Sequence, residues 1–315
     1  MKTRTNSEAS LAREVRARTT LQLRVRIVTS LLALLTSVPS CHALPSPGET
    51  DHIEEQAKTN PEIPFRLCND NLIVVKGSIG QIRDVNFILD TGTSPTIIAK
   101  TIAAHLKLRG QTGLLVTLNG TTHGESLILP HLQIGPLQAD SAKVVVNDLR
   151  SLEQTLGISL GGIVGLDILG TANFSIDYQR KKIVFGGEAS MERAVPLATS
   201  SPYLLVKAEV EGQQLRLLLD SGTPGLLVYR NRIDAKNDKL QMDPNRSLFT
   251  AGGMNQVRWL HAEVKLGEHH LNAVDVAIAD VDSEPGNDFD GLLGFVKMGF
   301  HKVTFDFQKG LFGWE

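Results

Sequence analysis

From residue 72 onward, short apolar runs rich in β-branched residues follow one another, broken by Gly, Asn and Pro: LIVVKGSI (72–79), AKVVVNDL (142–149), LLVKAEV (204–210) and AVDVAIADV (273–281). Runs of this kind, partly alternating and bounded by turn formers, predict the strands of a small antiparallel barrel or sandwich. Helical periodicity is scarce. TIIAKTIAAHLKL (96–108) has helical spacing, and GLDILG (165–170) has room for a single turn. The pattern predicts an all-β fold with few short helices.

The runs also recur in order. LIVVKGSIGQIRDVNFILDTG (72–92) resembles YLLVKAEVEGQQLRLLLDSG (203–222), and both drive an apolar strand into an aspartate followed by a hydroxyl residue and Gly. Each copy then carries an apolar-Gly pair, LQIG (132–135) or VKLG (264–267), and a glycine-bounded strand, GIVG (162–165) or GLLG (291–294). Each closes on a similar segment, FSIDYQRKKIVFG (174–186) or VTFDFQKGLFGW (303–314). Asp90 to Gly165 spans 75 positions and Asp220 to Gly294 spans 74; Asp90 to Asp177 spans 87 and Asp220 to Asp306 spans 86. Spacing held this closely at successive markers signals an internal duplication. It divides the chain into a lobe at 65–187, a linker at 188–201 and a second lobe at 202–315.

The first 43 residues differ from the rest. Lys2, Arg4, Arg13, Arg16, Arg18, Arg24 and Arg26 face only Glu8 and Glu14, and the apolar run IVTSLLALLTSV (27–38) leads into the small residues of PSCHA. The run is too short to span a membrane comfortably and reads as a secretory signal peptide, cut near Ala43. Lipoprotein processing before Cys41 is the alternative and would add a membrane tether; an organelle transit peptide is a third. The expected location is exported, periplasmic or extracellular. Residues 44–64, rich in Pro and charge with no apolar period, read as a flexible stalk.

Without that leader the chain keeps 25 basic against 32 acidic side chains, about minus seven, so nucleic acid is not an expected partner. Only Cys41 and Cys68 exist, which excludes a disulfide framework and makes Cys68 a small buried apolar residue in expectation. At 42% apolar content each half is able to bury its own core.

The two acids carry the chemistry. Asp-Thr-Gly-Thr-Ser (90–94) and Asp-Ser-Gly-Thr (220–223), each followed by a glycine strand, resemble the active-site signature of aspartic proteases. Lobe size and the IVGLDIL form (163–169) are similar to retropepsin-like, retroviral-type enzymes and their bacterial relatives. The resemblance covers residues 65–315. It implies two tandem pseudo-symmetric acid-protease-type β-barrel lobes in one chain, hence a monomer with an internal pseudo-two-fold. It also implies that Asp90 and Asp220 are catalytic and share one proton, with a polypeptide substrate, no cofactor and no metal. Thr91 and Ser221 are then expected to hydrogen-bond the opposite lobe, while Gly92 and Gly222 complete the acid-bearing turns. Thr93 and Thr223 are expected to donate to the carboxylates. Gly165 and Gly294, lacking side chains, let the glycine strands approach closely.

Such a site needs a flap, and LNGTTHGESL (118–127) and TAGGMNQVRWL (250–260) occupy matching intervals with the look of hairpin tips. The flap candidates are Gly120, Thr121, Thr122, His123 and Gly124 in the first lobe, and Gly252, Gly253 and Met254 in the second. A flap tyrosine of the pepsin kind is missing, since Tyr178, Tyr203 and Tyr229 lie elsewhere. Other features are bland. EHH (268–270) lacks a third metal ligand at suitable spacing, DVDSEPGNDFDG (280–291) departs from EF-hand spacing, and Asp177 and Asp306 suit turn anchors or strand ends. The alternative of another class is a duplicated barrel that binds peptide or protein in the same interlobe cleft without cutting it.

Overall fold

The computed structural model describes residues 24–26, 33–34, 61–117, 120–186, 191–198, 203–234, 240–250, 253–279, 282–283 and 288–315. Two short strands, β1 (Arg24–Arg26) and β2 (Ala33–Leu34), lie in the leader. The first half continues with β3 (Glu62–Pro64), β4 (Arg66–Cys68), β5 (Leu72–Ile79), β6 (Ile82–Leu89) and β7 (Ile97–Ala99). After helix α1 (Lys100–His105) come β8 (Gln111–Thr117), β9 (Gly120–Ile134) and β10 (Leu137–Asn147). Helix α2 (Arg150–Leu156), β11 (Gly162–Val164), the single turn α3 (Leu166–Leu169), β12 (Phe174–Asp177) and β13 (Lys182–Phe185) complete it.

Strand β14 (Arg193–Pro196) leads into the second half: β15 (Leu205–Val210), β16 (Gln213–Leu219), β17 (Leu226–Tyr229), β18 (Leu240–Thr250) and β19 (Gly253–Leu266). It ends with β20 (His269–Ala279), β21 (Gly291–Leu293), β22 (Lys302–Asp306) and β23 (Leu311–Trp314).

Each half closes into a barrel of six strands. In the first the circuit runs β5, β6, β11, β7, β10, β9 and returns to β5 through the Ser78–Gln133 and Ile79–Leu132 pairs. In the second it runs β15, β16, β21, β17, β20, β19 and returns through Ala208–Leu266, Glu209–Lys265 and Val210–Val264. The barrels are mixed and not purely antiparallel. β11 runs parallel to β6, β10 to β7, β21 to β16 and β20 to β17. The reason is local: each glycine strand enters between the acid-bearing strand and the strand after the acid, aligned with the first and opposed to the second.

A third sheet joins the halves in the order β14-β23-β22-β12-β13-β3. At its centre β12 and β22 pair antiparallel, with Phe174 opposite Phe305 and Ile176 opposite Val303. The Phe174 and Phe305 rings stack at 4.6 Å between centroids, and Phe295 and Phe312 pack around Phe305, so the sheet shares one apolar core with both barrels.

Several sequence expectations change here. Residues 97–99 form strand β7, and the helix starts only at Lys100. Two β-branched isoleucines, Ile97 and Ile98, are buried between β10 and β11, and that slot outweighs the helical spacing. Helix α2 is an addition, ended by Gly157 in the left-handed region (φ 66°). Glu62–Pro64, placed in the stalk by composition, pair with β13 because Ile63 fills the core. Arg193–Pro196, within the linker, pair with β23 because Val195 does the same.

Within the leader, β1 pairs parallel with β8 and β2 antiparallel with β18; most of the leader and stalk lies outside the described residues. No helix among the described residues is long and apolar enough to cross a membrane.

Cys68 is fully buried, as expected, but it is disulfide-bonded, which its reading as a small apolar residue did not include. Cys41, the other cysteine, lies outside the described residues. Within one chain, a lipid on Cys41 or its removal with a leader would each leave Cys68 reduced.

Candidate active site

Strand β6 carries Phe87, Ile88 and Leu89 into the core and stops at Asp90; β16 carries Leu217, Leu218 and Leu219 and stops at Asp220. The glycine strands take over the last ladder bond. Asp90 N–H donates to the Val164 carbonyl at 3.0 Å and Asp220 N–H to the Leu293 carbonyl at 2.9 Å. A Cβ on Gly165 would run into the Thr93 carbonyl, and one on Gly294 into the Thr223 carbonyl, so glycine is what lets the strand pass beneath each acid-bearing turn.

Both aspartates are 0% exposed, and their carboxyls are within hydrogen-bonding reach of each other. Their surroundings repeat nearly atom for atom. Gly92 N–H donates to Asp90 Oδ1 at 2.8 Å and the Thr93 hydroxyl to Oδ2 at 2.6 Å. Gly222 N–H donates to Asp220 Oδ1 at 2.7 Å and the Thr223 hydroxyl to Oδ2 at 2.6 Å.

Between the acids the lobes grip each other. Thr91 N–H donates to Ser221 Oγ at 3.1 Å, and Ser221 N–H donates to Thr91 Oγ1 at 2.9 Å. Each hydroxyl passes its own proton onward into the opposite lobe, Thr91 to the Leu219 carbonyl at 3.0 Å and Ser221 to the Leu89 carbonyl at 3.3 Å.

Burial pushes the Asp90 carboxyl above its ordinary value of 3.8, because removing the site from water penalises charge. The Thr93 hydroxyl, Asp220 and the Gly92 and Gly222 N–H groups pull the other way without reversing it. Tyr178, on the turn after β12, is half-buried with its hydroxyl shielded from solvent, and that shielding with the negative charge of Asp220 and Asp90 pushes its phenol up. The arrangement can hold one proton between two carboxyls and hand protons to and from a small molecule bound there.

A family model described as aspartyl protease matches residues 75–168 and 206–296, one copy in each lobe and more than half of the chain. The chain belongs to the aspartyl protease family. A search of curated proteins gives no significant match. Among solved structures the chain is similar to basic 7S globulin from soybean, at 10% identity and a TM-score of 0.48, covering 82% of this chain and 95% of that one.

As an aspartyl protease family member, the chain carries its flap candidates on two hairpins. Gly120, Thr121, Thr122, His123 and Gly124 begin β9, where Gly120 pairs with Thr117 of β8. Gly253 and Met254 begin β19, where Gly253 pairs with Thr250 of β18. Gly252 lies outside the described residues, as do the side chains of Thr121, Thr122, His123 and Met254.

The remaining candidates have structural partners. Asp177 accepts Arg180 N–H at 2.7 Å and Asp306 accepts Lys309 N–H at 2.9 Å, each closing a turn. His269 packs edge-on against Trp314, and His270 pairs with Glu263 at 2.9 Å. Of the acidic loop, Asp282 pairs with Arg230 and Asp290 accepts Arg216 N–H at 2.8 Å.

Two polar groups around the site have no sequence motif. Asp167 accepts Thr96 N–H at 3.0 Å and the Thr96 hydroxyl at 2.7 Å, and Thr96 Oγ1 in turn accepts Gly165 N–H at 3.0 Å. Asn71 reaches across the lobes to the Gly222 carbonyl at 2.7 Å.

Proposed function

We propose that the protein is an aspartic endopeptidase in which Asp90 and Asp220 activate a water molecule against a peptide carbonyl. The observation that supports this reading is the pair of buried, adjoining carboxyls, each held by one threonine hydroxyl and one glycine N–H. Two charges so close and so dry are costly, so the pair keeps one proton near neutral pH.

The ionised carboxyl takes a proton from water as the water oxygen bonds to the carbonyl carbon, and the protonated carboxyl gives its proton to the carbonyl oxygen. A neutral gem-diol results, and the pair again holds one proton. As the C–N bond breaks, the leaving nitrogen takes that proton, and one gem-diol hydroxyl returns its own to the pair. The products are a carboxylic acid and an amine, with the dyad restored. No covalent intermediate forms. The Thr91–Ser221 grip keeps the carboxyls in register through the cycle.

The chain is proposed to act as a monomer, because both acids and the sheet that joins them come from one polypeptide. Its basic leader supports export. Incubation of the mature protein with an unfolded polypeptide, at several pH values and dilutions, should give products resolvable by mass. Specific activity should be independent of dilution and highest on the acidic side of neutral. Tight peptide binding without cleavage would replace this reading with a cleft that only holds peptides.

A further inference from the structure

The lobes differ in one contact that reaches the dyad. The β4–β5 hairpin turns through Asn69 and Asp70, both at positive φ (50° and 64°), which Asn and Asp tolerate better than most residues. That turn delivers Asn71, 1% exposed, to the other lobe, where Nδ2 donates to the Gly222 carbonyl at 2.7 Å. The Gly222–Thr223 peptide continues the line, since Thr223 N–H donates to Asp220 Oδ1 at 3.2 Å.

The first lobe is wired differently. Thr93 N–H and Thr223 N–H both reach their own aspartate's backbone carbonyl, at 3.3 and 3.2 Å, and Thr223 N–H is shared with the Asp220 carboxyl as well; the Asp90 carboxyl takes Gly92 N–H, the Thr93 hydroxyl and, across the lobes, Gly222 N–H. Strand register identifies the counterpart of Asn71. Val74 pairs with Ile88, two before Asp90, and Leu205 pairs with Leu218, two before Asp220. Three residues upstream of Leu205 is Pro202, a residue with no side-chain donor.

We propose that Asn71 is a positioning residue that acts through the Gly222–Thr223 peptide to favour the ionised form of Asp220. A peptide whose carbonyl accepts a strong hydrogen bond is more polarised, so its N–H is a better donor, and a donor aimed at a carboxylate favours the charged form. In the mechanism above, that bias favours Asp220 as the acid that takes the proton from water. The assignment of roles rests on the endopeptidase reading; the asymmetry between the acids does not. Among the described residues, Asp90 and the phenol of Tyr178, on the turn after β12, are titratable groups that interact with Asp220.

Carbon-13 NMR titration of labelled aspartate carboxyls tests this without needing activity. In the Asp90→Asn background Asp220 titrates without a dyad partner, and in Asp220→Asn so does Asp90, which avoids coupled titration. Adding Asn71→Ala should raise the Asp220 value by about 0.5 unit and leave Asp90 within error. Asn71→Leu, which keeps volume, should act alike, and Asn71→Ser should restore part of the effect if its hydroxyl reaches the carbonyl.

In the otherwise native chain, Asn71→Ala should move the acidic limb of the kcat/KM profile upward. Unchanged titration of Asp220, an equal shift of both acids, or loss of fold in all three Asn71 variants would overturn the proposal. An Asp220 shift in a chain that cuts nothing would instead sustain Asn71 and remove the endopeptidase reading.

Discussion

The two lobes agree where they meet and differ one layer away. At the interface, Asp90 and Asp220 each take a glycine N–H and a threonine hydroxyl from their own lobe, and Thr91 and Ser221 exchange hydrogen bonds in both directions. Beneath that layer, the first lobe fixes its glycine strand with side chains: Gly165 N–H donates to Thr96 Oγ1, and Asp167 holds Thr96. The second lobe does the same job with backbone, Gly294 N–H donating to the Gly225 carbonyl at 2.9 Å and Lys297 N–H to the Pro224 carbonyl at 2.7 Å. Leu226 and Val296 stand where the first lobe has Thr96 and Asp167. A duplicated lobe can thus exchange a polar latch for backbone bonds at no cost to the shared turn, provided every buried amide keeps a partner.

The severest way to break the symmetry is to alter one acid. Asp90→Asn and Asp220→Asn should each lower kcat in the cleavage assay by roughly a thousandfold or more, and by similar factors, because residues that act as a unit fail as a unit. Near-normal turnover in either variant would show that the lobes do not share a dyad.

The grip comes next. Thr91→Ala removes a donor to Leu219 and an acceptor for Ser221 N–H, both buried, and should cost about 2–3 kcal/mol in denaturant unfolding. Ser221→Ala should cost less, since its onward bond to Leu89 is 3.3 Å against 3.0 Å for that of Thr91.

The latch is a one-lobe feature. Asp167→Ala should cost about 1–2 kcal/mol by stranding the Thr96 N–H, whereas Val296→Thr in the other lobe should change little. Equal effects would mean that the lobes are supported alike after all.

Acid dependence is the smallest and most diagnostic difference. The folded state raises the Asp90 value above 3.8, so it binds that proton more tightly than the unfolded chain does. The resulting stability is complete below 3.8 and is lost as pH rises through the higher folded value. Thermal melts taken upward from there should show Tm declining for the native chain, with a shallower decline for Asp90→Asn.

What could be read from the sequence was what lies contiguous in it. The acid turns and the glycine strands are local strings, and their repetition at matched spacing marks both lobes and points to Asp90 and Asp220 as the pair that meets. Signals failed where a residue acts at a distance. Nothing around Asn71 announces a contact 151 positions away, and Asp167 looks like any acid in a helical turn. Ile97 and Ile98 fit a helical period as well as a strand, and only the slot between β10 and β11 decides. Strands β3 and β14 were hidden because each offers one buried apolar residue among charged or proline neighbours, too little for periodicity to register.

The pairing of β12 with β22 also bears on inheritance. In an enzyme assembled from identical subunits, a defective copy joins sound ones and spoils them, so a mutant allele lowers activity beyond its share. Here each half finds its mate within its own polypeptide, through a sheet already complete. If the chain acts as the proposed monomer, a copy bearing Asp90→Asn damages no molecule but itself, and in a cell making both versions the loss of activity should be in proportion to its share.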